Sequence, residues 1–177
     1  MKTNPPTLQT SKPRAVGART MTDIRNITAV ALSIKREYMD KLISGEKPVE
    51  VRKSSPVRLF GELKQGNAVV AYLIPSGSRC VEGVAAFGYF ERFDAASDGF
   101  ARLAKRACLT TEALRAYIGE AVVHAWHLLR PAERFVRPIP LSLTGIHRAP
   151  QSWQYIDRNS EFCIAMENLR NKKEPQQ

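Results

Sequence analysis

Cysteine is scarce and unpaired in this sequence: Cys80, Cys108 and Cys163 stand far apart and no C-x-x-C pair occurs. This argues against a zinc site or a disulfide framework and is what a chain with buried thiols in a reducing, cytoplasmic setting would carry. Long apolar runs are missing as well. Nothing approaches the ~20 consecutive apolar residues that a bilayer span requires, so no membrane partner is expected. Residues 1–20 lack the continuous apolar segment of a secretory signal. Histidines are few, and His124 and His127, three apart on an expected strand, should face opposite ways. No metal and no cofactor are expected on that account.

Acidic residues are the other shortage. Seventeen Asp and Glu against 27 Lys and Arg leave a formal charge of +10. Such a surplus favours polyanions, RNA, DNA or an anionic membrane surface, without choosing among them. The excess is uneven. Residues 1–25 carry a net +4 together with Pro5, Pro6 and Pro13, and have almost no large apolar side chains. That composition cannot offset the entropy of ordering, so 1–25 reads as a disordered basic leader. Residues 170–177 read as a disordered tail, leaving one domain over 26–169.

Within that domain about six strands and four short helices are expected. Apolar, β-branched runs at "NITAVALSI", "KPVEVR", "AVVAYLI", "CVEGVAAFGYFERF" and "AVVHAWHLL", and a last run "PIPLSLTGI", suit strands. Tyr38, Met39, Leu42 and Ile43 make one helical face, closed by Gly45, with Glu37 and Lys41 as an exposed pair. Phe100, Leu103, Ala104 and Ala107 make a second helix capped by Asp94 or Asp98. Thr110 caps a third, with Leu114, Tyr117 and Ile118 buried. A terminal helix has Asn159 or Ser160 as cap and Phe162, Ala165, Met166 and Leu169 as its apolar face. "SSPVRLFGELKQGN" reads as a loop with one turn, and "APQSWQY" as an irregular aromatic loop. Without regular βαβ alternation the class is α+β, a small mixed or antiparallel barrel with short flanking helices.

The densest chemistry lies between Ser33 and Lys53. Lys35, Tyr38, Gly45, Lys47, Glu50 and Arg52 crowd one strand–helix–strand unit. Glu50 and Arg52, two apart on one strand, share a face and can pair or grip a polar ligand together. Ser76, Ser78 and Arg79 could approach the same mouth from the next loop, and Lys105 and Arg106 could widen a phosphate-binding surface. Trp126, in an apolar run, reads as core. Trp153, in a polar loop after Pro150, could stack on a base.

This stretch resembles the signature of the ASCH domain, a branch of the PUA-like superfamily. The family's pattern of S-I at a strand end, a helical Tyr and then G-x-K-x-x-E-x-R is met at Ser33, Ile34, Tyr38, Gly45, Lys47, Glu50 and Arg52. "CVEGVAAFGYF", "LRAYIGEAVVHAWHLL" and "PIPLSLTGIHRAPQSWQYI" are similar to later family segments, so the likeness runs over roughly residues 27–157. The resemblance implies a PUA-like β-barrel whose cleft is lined by the signature residues, in a family associated with RNA and modified bases and in part with transcriptional control. The ligand-binding set it implies is Ser33, Tyr38, Lys47, Glu50 and Arg52, with Lys35, Ser78, Arg79 and Trp153 added from the reading above. One branch resembles an amidohydrolase acting on acetylated cytidine, and another is linked to ribonuclease activity. A hydrolase using Lys47 and Glu50 is therefore the alternative. The amidohydrolase-like branch has Thr where this sequence has Glu50, and an ammonium paired with a carboxylate is a poor proton acceptor.

Overall fold

The computed structural model describes residues 27–158 and 160–171. The expected leader over 1–25, the cap at Asn159 and most of the tail lie outside the described residues. Strand β1 (Ile27–Ile34) and the first helix, α1 (Arg36–Ser44), follow the sequence pattern closely. Met39 and Leu42 are buried, and Gly45 takes φ 80°, the left-handed turn that ends a helix without a Cβ clash. Lys41 pairs with Glu46 at 3.0 Å, where a Glu37 partner was expected, because the Gly45 turn folds Glu46 back over the last helical turn.

Strand β2 (Val49–Arg52) leads into a 3-10 turn and the one-turn helix α2 (Phe60–Lys64), then β3 (Val69–Pro75) and the long β4 (Cys80–Phe93). Helices α3 (Phe100–Arg106) and α4 (Thr111–Ile118) precede β5 (Val123–Leu128), β6 (Glu133–Pro140), β7 (Trp153–Asp157) and α5 (Glu161–Asn171). Thr110 caps α4 through Ala113 N at 3.0 Å. Gly99, with no side-chain cap, precedes α3, because Asp94 is engaged by Ala96 N and Ser97. Tyr117 is exposed on α4, not buried as expected.

The strands form one mixed sheet in the order β2-β5-β4-β3-β1-β7, with β6 paired to β4. β1 and β3 run parallel and the other pairings are antiparallel. Two expectations are corrected here. The described residues form seven strands, because "WQYID" supplies the partner that the free side of β1 needs: Trp153 and Tyr155 face one core, and Ile156 the other. The sheet is also not closed: among the described residues no ladder joins β2 to β7, so it curls without becoming a hydrogen-bonded barrel. A third correction concerns the last predicted strand. It begins earlier, at Glu133, and stops at Pro140, where the chain turns into a 3-10 helix with Leu141 N bonded to Arg79 O.

The concave face holds Val30, Leu32, Leu73, Phe87 and Trp126 beneath Met39 and Leu42 of α1. Val49 and Val51 pack outward on Leu103, Leu114 and Ile118 of α3 and α4. Ala29, Ile74, Ile139 and Ile156 pack on Phe162 of α5. β2 is consequently buried at all four positions instead of alternating between core and solvent. The cysteines are half-buried, not fully enclosed.

Candidate functional site

Because β2 is covered on both faces, its polar side chains must find partners inside the protein. Lys47, only 1% exposed, is drawn inward by the Gly45 turn, where its amide donates to Lys41 O at 2.9 Å. Its ammonium donates to Ala107 O at 2.7 Å, lies 3.3 Å from Glu50 Oε2 and sits 5.2 Å from the centre of the Tyr38 ring. The carbonyl it uses closes α3, just before Cys108 turns the chain at φ 55°. Arg52 Nη2 lies 2.8 Å from Glu50 Oε1 and donates to Ser33 O at 2.7 Å, while Nη1 donates to Ser152 Oγ at 3.4 Å. One carboxylate thus stands between two cations in a nearly water-free setting, where unpaired charge would be prohibitive. Glu50 is 5% and Arg52 9% exposed, so the three side chains converge but are enclosed by the described residues.

Aromatic rings flank the group. Glu50 is the register partner of Trp126, so both point to one face. Trp126 and Trp153 stack edge-on at 5.7 Å, and Trp153 and Tyr155 at 5.0 Å. Both indole nitrogens donate to Ser54, Trp126 to its carbonyl and Trp153 to its hydroxyl, each at 3.1 Å. Arg58 covers the Tyr155 ring at 5.3 Å and its amide donates to the Tyr155 hydroxyl. Side-chain contacts and the Arg58 amide therefore bridge the unladdered seam between β2 and β7.

Of the residues singled out from sequence, Ser33, Tyr38, Lys47, Glu50 and Arg52 lie in one connected cluster. Ser33 Oγ itself donates to Pro150 O at 2.5 Å. Lys35 is exposed and reaches the outer side of the Tyr38 ring at 5.9 Å, and Trp153 stands half-buried at the seam. Ser78 and Arg79 belong elsewhere. Ser78 Oγ donates to Glu82 at 3.1 Å, within a network in which Arg36 grips the same carboxylate with two bonds of 2.8 and 2.7 Å, and Arg79 is exposed on the turn. Ser152, Ser54, Tyr155, Arg58 and the Ala107 carbonyl were not foreseen. Only the Ser152–Trp153 neighbourhood carried a signal, in the Pro150 turn.

Two further groups bear on the chemistry. His124 shares a 2.5 Å hydrogen bond with Ser55, and burial lowers its pKa. His127 lies against Tyr89 and Glu91, and burial, with Arg106 in support, lowers its pKa too. Among the described residues no three His, Cys, Asp or Glu side chains are grouped to hold a metal, and no helix is long and apolar enough to cross a membrane. A cavity of 410 Å³ lies away from the Lys47 cluster, between Gly145–His147, β7 and Glu161.

The Glu82 network makes a pH prediction. The Arg36 hydrogen bonds hold the Glu82 carboxyl below its ordinary value of 4.5, so the folded state binds its proton later than the unfolded one. The stabilisation is complete above about pH 4.5 and is lost as pH falls through the lower folded value. In urea unfolding from pH 7 downward, the deficit of Glu82→Gln relative to the parent should shrink steadily below that point. A constant deficit would contradict the assignment.

No protein-family model matches the sequence, and no curated protein matches it. Solved structures do match. The crystal structure of the ASCH protein of Zymomonas mobilis aligns with TM-score 0.64 at 20% identity, over 80% of this chain and 95% of that one. Its serine-to-alanine variant gives 0.65 at 19% over 81% and 97%, and its tyrosine-to-phenylalanine variant 0.64 at 21% over 80% and 98%. At such identities the likeness concerns architecture, and the architecture of this chain is that of an ASCH domain.

Proposed function

We propose that the protein binds RNA or a nucleotide at the β2–β7 seam. The supporting observation is the Lys47–Glu50–Arg52 cluster, two cations around one carboxylate, set beside half-buried Trp153 and Tyr155 with Arg58 on the rim. Net positive charge next to exposed ring edges suits a ligand that joins a phosphate to a flat base. The +10 charge of the chain would assist encounter at low salt. The hydrolase alternative is less well supported. Lys47 spends its contacts on a carbonyl and a carboxylate, and Glu50 occupies the place where the amidohydrolase-like branch carries a hydroxyl.

Fluorescence anisotropy with a labelled single-stranded RNA tests this reading. Affinity should fall as salt rises. Trp153→Ala should weaken binding roughly tenfold, within the ~1–3 kcal/mol that one stacked base contributes. Arg58→Ala, at an exposed side chain, should weaken it less and flatten the salt dependence. RNA affinity indifferent to both substitutions, or absent, would overturn the proposal.

A further inference from the structure

Several surface cations are already spent on carboxylates: Arg36 on Glu82, Lys41 on Glu46, Arg130 on Glu133 and Arg134 on Asp40. Lys53 and Arg58 are exposed too, yet among the described residues each meets an aromatic ring and no carboxylate. Lys53 Nζ lies 5.5 Å from the centre of the Tyr117 ring, and the Arg58 guanidinium 5.3 Å from that of Tyr155. The two pairs mark opposite ends of one loop, 53–58, which together with Arg52 carries three cations and no acid. The chain between them reaches at most about 18 Å.

That loop is held in place. Ser54 accepts both indole N–H groups, Ser55 shares a hydrogen bond with His124, and Leu59 N closes the 3-10 turn on Pro56 O at 2.9 Å. Ser54 and Val57 face solvent between the two pairs. A surface ordered in advance loses little entropy on binding. Tyr117 is 39% exposed and stands close enough to Arg52 and Glu50 to feel both charges, which puts it on the β2 side of the seam.

We infer that the 53–58 loop is a track for single-stranded RNA with two stations, Lys53–Tyr117 at one end and Arg58 with Tyr155 and Trp153 at the other. The inference rests on the binding proposed above and extends it from one base to a run of several. A cation beside a ring suits one nucleotide unit: the cation meets the phosphate, and the ring or the guanidinium plane meets the base. Lys53, on a flexible stem, can swing from the Tyr117 ring to a phosphate. A duplex offers the stations only its phosphates, because its base faces are covered by their own stack.

The test is titration of the full chain with UMP, a uridine oligonucleotide of about 8 nucleotides and an RNA duplex of equal length. At equal salt the oligonucleotide should bind at least about tenfold more tightly than the duplex, which lacks the stacking contacts. Tyr117→Ala should weaken the oligonucleotide about fivefold or more, as one lost stack does, and leave UMP, which a single station holds, within about twofold. Lys53→Ala should reduce the salt slope of oligonucleotide binding by about 0.7, one phosphate contact on a single strand. Equal affinity for strand and duplex would overturn the track and leave the seam proposal standing. So would an oligonucleotide affinity that responds to Trp153→Ala and not to Tyr117→Ala. No binding of UMP, oligonucleotide or duplex would overturn both. Should Tyr117→Ala fail to fold, Lys53→Ala at its exposed position decides: an unchanged salt slope would overturn the track.

Discussion

Glu50→Ala should lower the unfolding free energy by about 3–5 kcal/mol, the range for removing one member of a buried ion group. Among the described residues the carboxylate is the sole counter-charge drawn against Lys47 at 3.3 Å and Arg52 at 2.8 Å. Without it, two cations remain in the interior, where the Ala107, Ser33 and Ser152 oxygens solvate them only in part. Urea denaturation followed by tryptophan fluorescence measures the effect. A companion triple substitution, Lys47→Met with Glu50→Leu and Arg52→Leu, should fold with stability near that of the parent, because matched apolar volume removes the desolvation cost along with the attraction. That variant would be stable and unable to bind, which separates the two roles of the cluster. A Glu50→Ala protein as stable as the parent would mean that water reaches the cations freely, against the burial described above.

Trp126→Ala carries the second large effect, about 3–5 kcal/mol of destabilisation from an aromatic-to-alanine change in a packed core. The indole is fully buried, stacks on Phe87 at 5.4 Å and Phe90 at 5.3 Å, and donates to Ser54 O. Its loss leaves a cavity, strands the Ser54 carbonyl and withdraws the ring against which Trp153 rests. Near-ultraviolet circular dichroism should lose the Trp126 share of its tryptophan signature, and Trp126→Phe should recover most of the stability, though not the Ser54 bond. A mild loss on Trp126→Ala would show that Phe87, Phe90 and Trp153 collapse into the space.

How much of this was legible in the residues depends on how local the signal is. α1 was readable because Met39 and Leu42 repeat at helical spacing and Gly45 supplies its stop. The polar cluster was readable as a direction, since Glu50 and Arg52 alternate with Val49 and Val51. Its enclosure was not, because covering β2 takes α3, α4 and the Pro150 turn, all distant in sequence. β7 was hidden for a similar reason. Five residues after a proline carry little periodicity, and only the open side of β1 makes "WQYID" a strand. The closed barrel implied by the family resemblance gives way to a seam, because the Ser54–Ser55 and Ser152 segments meet through side chains and not through a ladder. Ser78 and Arg79 were drawn toward the wrong neighbour: the turn they occupy is tied to Glu82 and Arg36, an association that no spacing reveals.

The placing of β6 has a consequence for self-association. Among the described residues it pairs only with β4, so its outer side resembles an unfinished sheet of the kind that invites a second copy to add on. Pro138 and Pro140 lack the amide protons an incoming strand would need, and exposed Arg137 adds a charge to the same border, while Arg134 is paired with Asp40 and Glu82. Val136, 84% exposed, is left as a single apolar point within that charged border. Replacing both prolines and Arg137 would turn the same strand into a template for aggregation, which the natural sequence avoids with three side chains.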